Sequence, residues 1–458
     1  MGNAIVTKNN RILYPVDKLL KQFVDLLFNL IKAVLPHRYA SRVIRLKSPA
    51  VINVLGLTVF NAFGGLMLII TNIKLANVLG ASLFGLYSYY LAIGEVGANW
   101  TRYGMHKTQI RDLVQFPERS KSIITNTVCL SGINLSIFMA VVIVFHSALD
   151  FDINYSSILL ILSPAIVSLD FQPVYESLNM MSWHSIYYLL QKIIFLAGVW
   201  LIFLIKIDVG LIYIGIFSFL SWAIVVLMQF NEVFSSFKIS VSNDFSLKSL
   251  LKLYKSNFFI ALSCLIGVAF GPLIRLILQK YVDSTAVGIY SAGFQIYLMS
   301  QFILHQISRV GNPMMAEIGK DGSEYKRNRQ LLKKYSIAMI CSAIPFFLPL
   351  VMMPSFITNL LFSEEYLGLC RILPFFGAYL LAMAIGVVYE QLLISLRKDR
   401  YYFSIYVCGA LVTIITGFIL IPYYGVLGGV IAFTIPGILT RLLYVFWGEM
   451  IMKKLKNG

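Results

Sequence analysis

The chain is short of charge. Of its 458 residues only 13% are Asp, Glu, Lys or Arg, and the acidic ones are the scarcer, 21 against 38 Lys plus Arg. Soluble globular chains carry about 25% charged residues. With 58% hydrophobic residues and a mean hydropathy of +0.78, no soluble core of this length hides so much apolar side chain. The solvent for most of the chain is therefore lipid. Cysteines are few: Cys129, Cys264, Cys341, Cys370 and Cys408. All but Cys370 lie inside apolar runs and none forms a CxxC, so they read as small packing residues, not a disulfide frame or metal site. The five histidines show no HExxH spacing, and there is no GxxxxGK[ST] loop. Nucleotide hydrolysis by the chain itself and a bound cofactor are not expected. Met1–Asn10 is polar, which does not read as a cleaved signal.

What is present is a series of apolar runs, each near the ~20 residues that cross a bilayer. Twelve spans are expected, at 51–73, 83–100, 122–146, 157–176, 186–205, 210–230, 257–279, 287–308, 336–361, 372–394, 402–421 and 425–447. The fold class is thus an all-α polytopic membrane protein. Residues 1–50 form a basic extension. Within it, 17–35 carries a polar stripe at Lys18, Gln22, Asp25, Asn29 and Lys32. That pattern suits a helix lying in the membrane interface or packed beneath the bundle.

The net charge of +17 is not a nucleic-acid signal, because of where it falls. If the N-terminus is cytoplasmic, 31 of the 38 lysines and arginines lie in the expected inside segments. The outside loops hold Asp150, Asp152, Asp208, Asp283, Glu364 and Glu365 instead. This is the positive-inside pattern, with both termini cytoplasmic and a match to anionic membrane lipids. No nucleic-acid partner is expected. The linker 231–256 separates six spans, 51–230, from six more, 257–447, and 448–458 is a basic tail. Six is even, so the lobes enter the membrane in the same sense, as parallel repeats around a central cavity. A duplicated stretch marks the repeat. Gly85, Tyr87 and Ser88 align with Gly288, Tyr290 and Ser291, each set read as part of a turn between two spans.

Charges inside spans cost on the order of 2.5–3.5 kcal/mol each, so they tend to face a cavity or a partner. Lys74, Arg275, Lys192 and Arg441 are candidate binding residues for an anionic group. The parallel repeat places Lys74 and Arg275 opposite one another at the outer side. Arg275 follows Gly271-Pro272, an expected helix break, and its planar fork suits a phosphate. Snorkelling to an interface is the alternative for Lys74, Lys192 and Arg441. Glu95 and Asp170 are the deepest carboxylates, read either as a site for a coupling proton or sodium ion or as structural partners of nearby cations. Glu176 and Glu390 fall close to the inner face, where solvation is expected. Most of the 26 Tyr and 33 Phe are expected at the interfaces.

The run from Asn61 through Lys74-Leu75-Ala76-Asn77-Val78-Leu79-Gly80-Ala81-Ser82-Leu83-Phe84-Gly85-Leu86-Tyr87-Ser88 resembles the opening of the bacterial polysaccharide flippases of the Wzx, or O-antigen, type. Arg111, Val287-Gly288-Ile289-Tyr290-Ser291, Pro313 and Tyr424-Gly425-Val426-Leu427-Gly428-Gly429-Val430 are further echoes, together covering about 51–447. The same superfamily holds multidrug extruders and lipid II flippases. The resemblance implies ion-coupled alternating access in the bacterial inner membrane. Its implied cargo is an undecaprenyl-diphosphate-linked oligosaccharide for O-antigen or other surface polysaccharide. A polysaccharide polymerase and a chain-length regulator are candidate partners. Lys74 matches the family's usual cation, whereas Arg275, Lys192 and Arg441 rest on position alone. A multidrug extruder, with an acidic cavity, is the rival reading. A polymerase or ligase is a weaker one, because the outside loops are short.

Overall fold

The computed structural model describes residues 49–149, 153–178, 180–205, 210–239, 244–320, 325–396 and 398–457. The stripe at 17–35, and all of the basic extension before Pro49, lie outside them. The described chain is helical, with no strand. In hydrocarbon every backbone N–H and C=O must find a partner within its own segment, and an α-helix is the open-chain solution. In chain order the helices are α1 (Pro49–Arg102), α2 (Met105–Gln115), α3 (Ser120–Val144), α4 (Tyr155–Ile166), α5 (Gln172–Ser177), α6 (Met181–Ile205) and α7 (Leu211–Phe237). They are followed by α8 (Leu247–Ile266), α9 (Pro272–Tyr281), α10 (Ser284–Lys320), α11 (Tyr325–Met352), α12 (Pro354–Leu361), α13 (Leu369–Ser395) and α14 (Asp399–Asn457). Each expected span falls largely on helix, and the protein is a multi-pass membrane protein of about twelve spans.

Two of the longest helices are each two spans joined at one glycine. α1 turns at Gly80 (φ 72°) and α14 at Gly425 (φ 55°), conformations that a residue with a Cβ adopts only with strain. At Gly80 a Cβ would also stand 2.7 Å from the Glu365 carboxylate. Span seven is broken as its sequence suggests. α8 gives way to a 3-10 turn at Gly267–Phe270, and α9 restarts at Pro272, whose missing N–H costs nothing in a first helical turn. We call the membrane face that carries Gly80 and Gly425 the Gly80 face, and the face of the Lys- and Arg-rich loops the basic face.

The duplicated stretch is not a turn. Gly85, Tyr87 and Ser88 lie within the second limb of α1, and Gly288, Tyr290 and Ser291 within α10. They meet one another across the lobes. A Cβ on Gly85 would stand 1.7 Å from the Ser284 carbonyl oxygen, and one on Gly288 would stand 2.0 Å from that of Ala81. Small residues let transmembrane backbones approach this closely, and close packing is what associates helices in lipid.

Each lobe has its own interior. In the first, Ser163 and Ser218 share a 2.5 Å hydrogen bond, and Gln191 donates to Ser221 at 2.9 Å. In the second, Phe294, Tyr297, Phe376, Tyr379 and Phe433 pack ring on ring around α10, α13 and α14.

Candidate functional site

At the Gly80 face the lobes are closed. The Asn77 side chain donates to the Leu361 carbonyl at 2.8 Å and accepts from the Ser363 N–H at 2.9 Å. Glu365 accepts the Ala81 N–H at 2.7 Å, one of the donors that a restarting helix leaves without an intrahelical partner. Tyr366 donates to the Ala76 carbonyl at 3.1 Å, and the Ser82 and Ser284 hydroxyls stand 3.1 Å apart. Deeper in, Asn72 donates to Gln295 at 3.0 Å. Every one of these bonds joins the first lobe to the second.

Below this seam, Arg275 of α9 pairs with Glu95 of α1 and donates to the Ser88 carbonyl at 3.3 Å. Of the described ion pairs it is the one that bridges the lobes. The guanidinium side chain is 9% exposed and the carboxylate 41%, so Arg275 is sealed in protein while Glu95 reaches open space. The break at Gly271-Pro272 is what aims α9, and with it Arg275, back at α1.

That open space is a cavity of about 610 Å³ toward the basic face. Its first-lobe wall is polar: Glu95, Asn99, Arg102 and His106. Glu95, Asn99 and Arg102, four and three residues apart, share one stripe of α1, and His106 joins them from α2 across the left-handed break at Tyr103 and Gly104. Its second-lobe wall is made by the broken span seven and by Tyr402, Phe403 and Tyr406 of α14. At the basic face α8 crosses to the first lobe, where Tyr254 bonds to Asn134 and its ring meets Tyr103 edge-on at 5.1 Å.

Behind Arg102 and His106 lies a second, water-sized cavity of about 30 Å³, also lined by Gln109, Ser131 and Asp170. Arg102 donates to the Val167 carbonyl at 3.2 Å and, with His106, divides the two spaces. Asp170 sits where α4 has ended and α5 not yet begun. It accepts the Gln172 N–H and a 2.9 Å bond from His184 Nε2, with its side chain 7% exposed.

The structure thus brings Arg275 and Glu95 together and leaves the other sequence candidates apart from them. Lys74 is exposed on α1, its ammonium 5.9 Å over the Phe203 ring, because Leu75, Ala76 and Leu79 take the buried side of that turn. It does not face Arg275. Lys192 is buried in the first lobe with Tyr188 and Trp222 rings at 4.6 and 5.3 Å, a cation–π enclosure. Arg441 is fastened to Glu390 within the second lobe, where solvation of Glu390 was expected. The absence of a side chain at Gly386 makes room for it, since a Cβ there would meet Arg441 Cδ at 2.5 Å. Arg102 and His106 escape a charge-in-span search because they fall in the expected basic loop. The helical register of Arg102 with Glu95 and Asn99 was the available signal, and none was available for His106, which lies past the break.

The architecture is that of the MATE-type and lipid II transporters. A multidrug resistance MATE family transporter of the MOP superfamily, in an inward-facing conformation, superposes with a TM-score of 0.67 over 88% of this chain and 96% of its own, at 14% identity. Lipid II flippase MurJ in an inward closed conformation gives 0.64 over 85% and 86%, at 16% identity. A point mutant of the Vibrio cholerae MATE transporter VcmN gives 0.58 over 88% and 97%, at 15% identity. At these identities the likeness is one of fold. Among curated proteins none matches the chain in sequence. Residues 50–319 match the family model for polysaccharide biosynthesis proteins, and the chain belongs to that family.

Proposed function

We propose that the protein is a flippase, a secondary transporter and not an enzyme, that moves undecaprenyl-diphosphate-linked oligosaccharide across the bacterial inner membrane by alternating access. Both termini are cytoplasmic in this reading, so the cavity faces the side on which such lipids are made. The observation that carries it is the interlobe cavity, closed at the Gly80 face, with the Arg102 guanidinium and the His106 imidazole on one wall. Arginine binds diphosphate oxygens through a planar fork and keeps its charge at any working pH. Among the described lining residues Glu95 is the sole carboxylate, and it is paired with Arg275. A cavity for cationic drugs would want the opposite balance.

In this reading Arg102 and His106 hold the diphosphate. Arg275 is a reserve cation, masked by Glu95 until a bound anion or a proton on Glu95 competes for it. Asp170, with His184, is the second carboxylate through which an ion gradient could act, and antiport of a proton or sodium ion would drive the cycle. O-antigen or a related surface polysaccharide is the end product, with a polymerase and chain-length regulator acting next.

The test uses a strain whose surface polysaccharide depends on this protein. Replacing Arg275 by Ala, at normal expression, abolishes surface polymer, and Lys restores part of it. Normal polymer with Ala removes Arg275 from the mechanism.

A further inference from the structure

The two walls of the cavity are chemically unlike, and the second is built in a way that a lipid tail does not require. Tyr402 and Tyr406 are four residues apart on α14, so their rings lie one above the other. The rings are nearly parallel, 19° between planes with centroids 6.2 Å apart. The stack continues to Tyr444, 13° and 5.9 Å from Tyr402, while Phe270 meets Tyr406 at 5.2 Å, tilted by 44°. Tyr444 is 1% exposed and locks the stack from behind, while Tyr402 and Tyr406 are partly open and line the cavity. The Tyr406 hydroxyl lies against Gly267, where an added Cβ would stand 2.9 Å from it.

Across from these rings stand Glu95 and Asn99. Arg275 takes Oε2 of Glu95, and the carboxylate remains 41% exposed toward the cavity. One N–H of the Asn99 amide donates to the Glu95 carbonyl at 2.9 Å, and its oxygen is an acceptor by chemistry. A pyranose has this same division. Its axial C–H bonds make an apolar face, and its rim is a ring of hydroxyl donors. The electron-rich face of an aromatic ring attracts polarised C–H groups, and carboxylate and amide oxygens accept from hydroxyls.

We propose that Tyr402 and Tyr406 form a sugar platform, which takes the C–H face of the first sugar of the cargo while Glu95 and Asn99 receive its hydroxyls. This rests on the flippase reading and extends it. The cargo is recognised at two separate places, its diphosphate on Arg102 and His106 and its sugar between α14 and the Glu95 stripe. The protein would then reject the bare lipid diphosphate by affinity, and would move only loaded carrier.

The experiment measures binding of two probes to the purified full chain in lipid nanodiscs: undecaprenyl diphosphate, and undecaprenyl diphosphate bearing one N-acetylglucosamine. Wild type is expected to bind the sugar-bearing probe about tenfold more tightly, the scale of one good aromatic contact. Replacing both tyrosines by Leu abolishes that preference, so that the two probes bind alike, and a melting temperature close to wild type shows that the variant is folded. Replacing both by Phe keeps the rings and keeps the preference. A Leu variant with wild-type preference overturns the platform, as does equal weakening of both probes, or equal binding of both by wild type. If wild type binds neither probe, the flippase reading itself falls and takes the platform with it.

Discussion

Arg275 and Glu95, 180 residues apart in sequence, form an ion pair that joins the two lobes at the upper edge of the cavity. The pair sits between a closed seam and an open space. In the other half of an alternating-access cycle the seam must part, and the pair must break or follow one lobe. Its energetics therefore bias the conformational equilibrium as well as the fold.

Replacing Glu95 by Gln removes the carboxylate from a nearly buried guanidinium. Losing one partner of a fully buried pair costs about 3–5 kcal/mol. Glu95 is 41% exposed, so a loss of roughly 2 kcal/mol is expected, seen as a lower melting temperature in detergent. The swap of both residues, Glu95→Arg with Arg275→Glu, is expected to recover part of it. No change in melting with Gln would mean that the pair does not hold the lobes together.

Gly85→Val places side-chain atoms where the Ser284 carbonyl stands, 1.7 Å from an ideal Cβ. The lobes then cannot close at the Gly80 face, and transport is lost while membrane insertion persists. Gly132→Ala is the control: nothing lies within 4 Å of its Cβ, and Ala is the better helix former. Comparing transport with membrane abundance for the two variants checks this, and an active Gly85→Val protein would contradict the crossing.

Asp170→Asn keeps shape and removes charge beside His184. If the pair carries the coupling ion, transport in vesicles no longer speeds up under an imposed pH or sodium gradient, while slow equilibration without a gradient continues. An unchanged response to both gradients would leave Asp170 as the structural support of α5.

Arg102→Ala and Lys74→Ala separate the cavity from the family motif. Arg102 lines both cavities, whereas Lys74 is exposed against Phe203. The expected result is a large loss of diphosphate-lipid binding with Arg102→Ala and a small one with Lys74→Ala. The reverse order would return the site to the first limb of α1, beside the Gly80 bend.

The spans were legible because lipid leaves the backbone few choices, and an apolar run near twenty residues long has one outcome. The break at Gly271-Pro272 was legible for a local reason, a proline without an N–H, whereas the bend at Gly80 was expected a few residues later, on Gly85, Tyr87 and Ser88. The site was less so. Glu95 and Arg275 stand out singly as charges in apolar runs, but their pairing depends on how two lobes dock, which no local pattern encodes. Lys192 shows why a buried charge is an ambiguous sign, since two aromatic rings enclose it. Arg102 and His106 were hidden by the same basic richness that sets orientation. Only the register of Arg102 with Glu95 and Asn99 distinguishes it from a loop cation.

The most direct measurement joins the cavity to transport. The Ser82 and Ser284 hydroxyls are 3.1 Å apart across the seam, within reach of a disulfide if both become cysteine. Vesicles carrying S82C/S284C in a background lacking the native cysteines are loaded with undecaprenyl-diphosphate-linked oligosaccharide, and its appearance in the opposite leaflet is followed. The account predicts translocation when the pair is reduced, arrest when it is oxidised, and recovery on adding reductant. Equal translocation in the oxidised and reduced states, or none above protein-free vesicles in either, would contradict it.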